Sequence, residues 1–217
     1  MMRSGFDRQL ETLHRELVKM GAQCEEAISA GVKALLEGDS EMAQRAISRE
    51  KDIDQTERDI EALCMKLLLR QQPVARDLRA VSSALKMISD LERIGDQAAD
   101  IAEITRHIDA TPLPAQLHIS DMARATVSMV TDSIDAFLRQ DLPMAMAVID
   151  RDDVVDRLFL EIKQELTDLI RSDASQAALA LDLLMIAKYL ERIGDHAVNV
   201  AEWAAYAING SRSSTSP

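Results

Sequence analysis

The chain has 217 residues, of which 47% are hydrophobic and only 3% aromatic, and its 37 acidic residues outnumber the 25 basic ones for a net charge of −12. Glycine (7) and proline (5) are scarce, which favours long helices. A surface this acidic repels the phosphate backbone, so the composition argues against nucleic-acid binding and favours cations or basic protein surfaces as partners.

The cysteines and the apolar pattern fit the expectation of a cytoplasmic protein. Cys24 and Cys64 lack Cys-x-x-Cys spacing, so we interpret them as reduced core residues. The N-terminal sequence MMRSGFDRQLETLHREL becomes amphipathic at once and has no apolar run of the signal-peptide type. No stretch approaches about 18 uninterrupted apolar residues, so we expect no membrane insertion.

Apolar residues recur at spacings of three and four, which predicts amphipathic helices along most of the chain. Gly38 suits the end of the first helix, and Asp39 or Ser40 the start of the second. Pro73 and Pro143 interrupt the pattern near the starts of the third and fifth helices. The predicted helices span about 6–36, 40–70, 74–107, 120–139, 143–172 and 175–209.

The second half of the sequence repeats the first. The hexapeptide LERIGD occurs at 91–96 and again at 190–195, and an offset of 102 aligns Asp39 with Asp141. We therefore predict an all-α fold of two tandem antiparallel three-helix bundles related by an internal repeat. The predicted units are a first bundle at 1–108, a linker at 109–118, a second bundle at 119–209 and a disordered tail at 210–217.

Acidic residues occur in pairs four positions apart, at matching places in both halves. Such pairs project from one strip of a helix, where like charges repel and weaken the helix by a few tenths of a kcal/mol. Four matched pairs need a reason, and carboxylate oxygens suit hard or borderline cations such as Mg²⁺, Ca²⁺, Mn²⁺ or iron. The candidate metal ligands are Glu50, Asp54, Glu92, Asp96, Asp152, Asp156, Glu191 and Asp195.

Glycines interrupt the second pair of each half. Gly95 and Gly194 each cost about 1 kcal/mol relative to alanine inside a helix. They are tolerable where another helix or a bound ion must come close to the backbone. Three further residues beside the motifs, Asp100, Asn199 and His196, are additional ligand candidates, although a histidine on a polar face is the commoner case.

Two other interpretations of these acids stay open. Arg58, Arg93 and Arg192 could neutralise them, which would leave ordinary solvated helix faces and a helical scaffold that binds no metal. A carboxylate-based hydrolase or oxidase would use the metal in catalysis, but it needs an open coordination position and a substrate pocket. No P-loop and no Gly-x-Ser-x-Gly motif supports an enzyme.

The segments DLERIGDQAADIAE (90–103), YLERIGDHAVNVAE (189–202) and RQQPVARDLRAV (70–81) resemble the PhoU family of phosphate-uptake regulators. The resemblance implies two tandem three-helix bundles, homodimers and no enzymatic activity. It implies a cytoplasmic negative regulator of the phosphate-starvation response that contacts the ATPase subunit of the phosphate ABC transporter and a phosphate-sensing histidine kinase. It also implies iron or zinc clusters on the eight paired acids, and nothing in the composition or spacing itself indicates phosphate.

Overall fold

The computed structural model describes residues 2–108 and 117–211, and over these ranges the chain is helical. Its helices are α1 (Met2–Glu37), α2 (Ser40–Gln71), α3 (Ala75–Thr105), α4 (Ile119–Arg139), α5 (Leu142–Ser172) and α6 (Ala177–Asn209), with one 3₁₀ turn at Ala174–Gln176. The predicted all-α class is confirmed. Most of the predicted linker (109–116) and tail (212–217) lie outside the described residues, so the four unit boundaries stay predictions.

The helices begin and end where local chemistry allows it. Gly38 adopts φ 68°, a left-handed conformation that costs glycine little, and Asp39 accepts hydrogen bonds from the backbone N–H groups of Glu41 (2.9 Å) and Met42 (3.1 Å). Asp39 rather than Ser40 is therefore the N-cap of α2. Its counterpart in the repeat, Asp141, caps α5 in the same way.

The two bundles share one hydrophobic core. Helix α1 packs on α2 and α3, α4 packs on α5 and α6, and the two bundles meet where α3 contacts α6 and α1 contacts α4. Buried apolar side chains from all six helices form one continuous cluster. Cys24 belongs to it, and its buried thiol donates a hydrogen bond to the carbonyl of Leu91 at 3.3 Å.

The repeated glycines lie where a neighbouring helix comes close. A Cβ atom on Gly95 would lie 2.8 Å from Cδ1 and 3.2 Å from Cγ2 of Ile53 in α2. A Cβ atom on Gly194 would lie 3.3 Å from Cγ1 of Val155 in α5 and 3.6 Å from a carboxylate oxygen of Asp152. Of the two reasons considered for these glycines, the structure supplies the close approach of a helix.

We expect Gly95→Ala to destabilise the fold more than Gly194→Ala. Alanine gains about 1 kcal/mol of helix propensity at either site. At position 95 it also overpacks the buried, β-branched Ile53, which is stiff at χ1, and overpacking of this kind costs about 1–3 kcal/mol. Urea unfolding should therefore show a net loss of about 1 kcal/mol for Gly95→Ala and almost none for Gly194→Ala. Equal effects of the two substitutions would contradict this account.

Candidate metal centre

Helices α2 and α3 bring the predicted ligands of the first repeat together. One carboxylate oxygen from each of Asp54, Glu92 and Asp96 lies within 4.8 Å of the others, and all three residues are half-buried. Glu50 lies one turn before Asp54 and faces both Asp54 and Asp96 electrostatically. We call these four residues the first acidic cluster.

Burial and repulsion make the first acidic cluster short of positive charge. The pKa of Glu92 is raised, chiefly by desolvation and then by the negative charge of Asp96, while Arg93 partly offsets the rise. The pKa of Glu50 is raised by desolvation, Asp96 and Asp54. Each carboxylate therefore loses hydration without gaining a full counter-charge, and a bound cation would relieve that imbalance.

Arginines pair with part of the first acidic cluster from its outer side. Arg58 lies 3.1 Å from Asp54, and Arg93 lies 3.0 Å from Asp96 and 3.5 Å from Glu92. Both arginine side chains are about 60% exposed (63% and 60%), so these pairs contribute little stability and the long side chains can move. The neutralisation considered from the sequence therefore occurs, but at the solvent edge.

Helices α5 and α6 bring the matching residues of the second repeat within electrostatic reach of one another, but among the described residues only Asp54, Glu92 and Asp96 place their carboxylate oxygens within 4.8 Å of one another. Asp152 is half-buried, and desolvation together with the charges of Asp156, Asp195 and Glu191 raises its pKa to about 6. The pKa of Asp195 is raised by desolvation and by Glu191, against an opposing effect of Lys188. We call Asp152, Asp156, Glu191 and Asp195 the second acidic cluster.

The second acidic cluster carries a cation of its own. The ammonium group of Lys188 forms an ion pair with Glu191 and lies 5.6 Å from the ring centroid of Phe159, a cation–π distance. The repeat counterpart of Lys188 is Ser89, and that of Phe159 is Glu57. The first acidic cluster therefore has a serine where the second has the lysine, and a carboxylate where the second has the aromatic ring.

The three additional ligand candidates, Asp100, Asn199 and His196, lie toward the contact between α3 and α6. His196 Nδ1 lies 2.9 Å from a carboxylate oxygen of Asp90, and the Asn199 amide donates to the same oxygen at 3.1 Å. Asp100 accepts a hydrogen bond from Tyr189 across the same contact. Asp90 is the repeat counterpart of Tyr189, and Asp100 is that of Asn199. The Asp90–Asn199 and Asp100–Tyr189 hydrogen bonds therefore join the same two repeat positions, once in each direction across the contact.

Sequence reasoning missed Glu57 and Lys188. Glu57 lies three residues after Asp54, and its pKa is raised by burial and by the charges of Glu61 and Asp54. Helical spacing alone could have identified it, since residues three apart share a face. The comparison of repeats hid both residues, because Glu57 corresponds to Phe159 and Lys188 to Ser89.

The donors of both clusters suit a cation that prefers oxygen ligands. All eight predicted ligands are carboxylates, and each cluster draws them from two helices. Six of them are half-buried, whereas Asp156 and Asp195 are exposed. This set fits Mg²⁺, Mn²⁺, Ca²⁺ or iron, and zinc accepts carboxylate ligands as well. The assignment of these residues as metal ligands stays a prediction, with the geometry of the first acidic cluster in its favour.

Comparison with known proteins decides the family. The family model described as the PhoU domain matches residues 17–105 and again 119–204. The chain belongs to the PhoU family. The two matched segments follow the internal repeat, so each three-helix bundle is one PhoU domain.

Several PhoU relatives align over nearly the whole chain. The PhoU homolog of Clostridium acetobutylicum, named a phosphate-specific transport system accessory protein, is 38% identical over 97% of both chains. PhoU of Escherichia coli K12 is 31% identical over 94% of this chain and 86% of its own length.

Two solved PhoU structures have the same fold. The crystal structure of PhoU from Pseudomonas aeruginosa superposes with a TM-score of 0.89 at 33% identity and covers 95% of this chain and 100% of its own. That of the phosphate transport system regulatory protein PhoU from Streptococcus pneumoniae superposes with a TM-score of 0.87 at 28% identity, with coverage of 95% and 98%. Across residues 2–108 and 117–211, none of the PhoU helices has the length and apolarity needed to cross a bilayer.

We expect Asp152→Asn to change how the stability of the metal-free protein depends on pH. Because the pKa of Asp152 rises from 3.8 to about 6 on folding, the folded chain binds more protons between about pH 4 and 6, and stability falls as pH rises through that window. The Asp152→Asn variant cannot titrate at this position, so its stability does not fall in this way between about pH 4 and 6. At pH 7 with a chelator present, its free energy of unfolding should exceed that of the wild type by about 1 kcal/mol after solvent screening.

The pH series needs one matched control. Asp150→Asn removes an exposed carboxylate two residues earlier on α5, and its unfolding free energy should follow the wild type. If the wild type and Asp152→Asn had the same pH dependence between pH 4 and 7, the proposed repulsion within the second acidic cluster would be wrong.

Proposed function

We propose that this chain is a non-enzymatic, cytoplasmic regulator of phosphate uptake and phosphate homeostasis. In this proposal it restrains the phosphate-starvation response by contacting two partners, the ATPase subunit of the phosphate ABC transporter and a phosphate-sensing histidine kinase. The observation that carries the proposal is the alignment with relatives named phosphate-specific transport system accessory proteins over 94% to 97% of this chain.

The exposure of the acidic clusters supports the regulatory role over the alternative of a metal-dependent hydrolase or oxidase. A groove of about 670 Å³ between α1 and α2 is lined by residues such as Glu26, Lys33 and Arg49, and by none of the eight cluster carboxylates. Both acidic clusters instead lie on half-exposed helix faces. An enzyme would need its metal at the base of a substrate pocket.

In this proposal the acidic clusters hold metal ions that stiffen a docking face. Asp54 on α2 and Glu92 with Asp96 on α3 would be the ligands in the first repeat, with Glu50 and Glu57 beside them. The family resemblance favours iron or zinc, and the oxygen donors also suit Mg²⁺, Mn²⁺ or Ca²⁺. A bound cation supplies positive charge that offsets the repulsion between the two helices, and partners would then contact a fixed α2–α3 face.

We expect Asp54→Asn combined with Asp96→Asn to weaken metal binding by about tenfold or more, because two of the three converging carboxylates are lost. Purified protein is equilibrated with iron(II), zinc or manganese, and metal per chain is measured by mass spectrometry. Thermal unfolding gives a second readout, since a bound metal raises the melting temperature of the wild type.

Asp59→Asn is the matched control, because it removes an exposed carboxylate of α2 outside the cluster. It should retain wild-type metal content. If the double variant and the control bound the same amount of metal with the same thermal shift, the metal assignment would fail, and the helical-scaffold interpretation would replace it.

We expect the tagged chain, at native expression levels in phosphate-replete cells, to co-purify with the transporter ATPase or the sensor kinase. Metal content is measured on the same eluate, so the experiment also shows whether metal accompanies the complex. Recovery of neither partner, together with turnover of a phosphoester or uptake of oxygen by the metal-loaded protein, would overturn the regulatory proposal in favour of the enzyme.

A further inference from the structure

The connection between α2 and α3 closes one end of the first bundle with a group of exposed apolar side chains. Leu69 and Val74 are each 74% exposed, and Met65 and Leu78 are 45% and 44% exposed. Among the described residues, ten large apolar side chains are exposed, and four of them lie in this one segment. Single exposed apolar residues are ordinary, whereas a group of them marks a surface that contacts something else. We call residues 65–79 the first tip.

The first tip is basic, although the whole chain carries a net charge of −12. Asp77 is the one acidic residue of this segment, and its four basic residues are Lys66, Arg70, Arg76 and Arg79. The side chains of Lys66, Arg70 and Arg76 are exposed, and within the described part of the chain none of the three forms an ion pair. Each lies within two residues of an exposed apolar side chain, so positive charge and apolar surface alternate along the tip.

The matching connection of the second repeat has the opposite character. Offsets of 102 on α2 and 99 on α3 place this connection at residues 167–178, which we call the second tip. The counterparts of Lys66, Leu69 and Val74 are Asp168, Arg171 and Asp173. The same helical hairpin therefore folds with charged residues at these positions, so the fold itself does not require the exposed aliphatic side chains of the first tip.

The backbone of the first tip is also strained. Gln72 and Ala75 have φ values of 44° and 49°, in the left-handed region that residues with a side chain avoid, and the exposed Val74 lies between them. At the second tip, which the structure describes in full, no residue has a positive φ. Strain of this kind clusters at functional sites, where it holds side chains in a fixed arrangement.

The two tips lie at opposite ends of the molecule. Helices α3 and α6 run antiparallel, since Asp90 contacts His196 and a Cβ atom on Gly210 would lie 3.5 Å from Arg79. The end of α6 therefore lies beside the first tip. Its start, and with it the second tip, lies a helix length away, about 50 Å for 33 residues. A surface that contacts the first tip need not touch the second.

We propose that the first tip binds the surface of a membrane that contains anionic phospholipids. Exposed aliphatic side chains enter the boundary between head groups and acyl chains, and neighbouring lysine and arginine side chains attract the negative head groups. Leu69 and Val74 supply the apolar part, and Lys66, Arg70 and Arg76 supply the charge. The contact is shallow and requires no helix that spans the bilayer.

The shape of the first tip favours a lipid surface over a protein partner. Specific protein interfaces use about 20–30 residues on each side, whereas the tip is a single helical turnaround of about 15 residues. A bilayer accepts a few side chains from a projecting turn, because it needs no complementary pocket. The charge of the lipid is also known in advance, and it is opposite to that of the tip.

The acidity of the remaining chain does not cancel this attraction. Asp54 of the first acidic cluster precedes Leu69 by 15 residues on α2, which corresponds to about 22 Å. Charges are screened over about 8 Å at physiological ionic strength. The first acidic cluster therefore repels a membrane only weakly when the tip lies at its surface, and the proposal does not depend on bound metal.

The test measures co-sedimentation of the full chain with vesicles. One kind of vesicle contains phosphatidylcholine alone, and the other contains phosphatidylcholine and phosphatidylglycerol in equal parts. We expect binding to the anionic vesicles at about 1 mM lipid, with an association constant below the roughly 10⁴ M⁻¹ of a single myristoyl chain. Binding to the neutral vesicles should be at least about fivefold weaker, because three cations lose their attraction.

Two variants remove the two parts of the first tip separately. Leu69→Asn with Val74→Asn removes the aliphatic side chains, and their exposure means that the core stays intact. Lys66→Gln with Arg70→Gln removes two exposed positive charges. We expect each variant to bind the anionic vesicles at least about fivefold less tightly than the wild type.

The second bundle provides a matched control for each variant. Leu160→Asn with Leu181→Asn removes two aliphatic side chains that are 62% and 59% exposed. Lys163→Gln with Arg171→Gln removes two exposed positive charges and changes the net charge by the same amount. Both controls should bind the anionic vesicles as tightly as the wild type.

A polarity-sensitive fluorescent label reports which tip meets the lipid. Val74→Cys places a thiol at the first tip, and Asp173→Cys places one at the matching position of the second. The native Cys24 and Cys64 do not compete for the label, since both are buried and burial raises the pKa of each thiol to about 12. With anionic vesicles, the emission of a label at 74 should shift to shorter wavelength, whereas that of a label at 173 should not change.

Wild-type protein that stays in the supernatant with both kinds of vesicle would overturn the proposal and leave the first tip to a protein partner. Binding that both tip variants retain would also overturn it, because another surface would then be responsible. Equal binding to neutral and anionic vesicles, or an emission shift at both labelled positions, would contradict the basic tip as the point of contact. Weakened binding of both tip variants, with unaffected controls and a shift at position 74 alone, supports it.

Discussion

The candidate site depends on how closely two helices can approach. The carboxylates of the first acidic cluster converge where Gly95 lets Ile53 of α2 pack directly against the α3 backbone, and Gly194 allows the same close packing of Val155 of α5 on α6. A side chain at either position would separate the helices and spread the acids. The close approach also shields Glu92 and Asp152 in part from water, and desolvation is the largest cause of their raised pKa values.

The two repeats share their apolar core positions but differ at several positions around the acidic clusters. Ser89 and Glu57 of the first repeat correspond to Lys188 and Phe159 of the second, so one acidic cluster is open to an external cation and the other already contacts an ammonium group. A duplicated scaffold has thus acquired two unlike halves through substitutions at the surface.

Much of the fold could be predicted because its signals are local. The Asp39 cap, the Gly38 helix end and the three-and-four periodicity act within a few residues, and the repeat placed the acid pairs in register. The hydrogen-bond partner of His196 and Asn199 could not be predicted from the sequence. That partner, Asp90, is about one hundred residues away along the chain, and only the packing of α3 against α6 brings it close. The role of Lys188 could not be predicted either. Ion pairs between residues three positions apart are common on helices, and only the fold shows that this one belongs to the second acidic cluster.

The continuous core across both bundles has a consequence for cooperativity. Buried side chains of α1 pack with α4 and those of α3 with α6, so neither bundle can open without exposing apolar surface of the other. Loss of one half would remove contacts from the other half at the same moment, and the chain should unfold in one transition rather than domain by domain. The two domains therefore depend on each other for stability. A bundle expressed alone would expose to water the apolar faces of the helices that contact the other bundle.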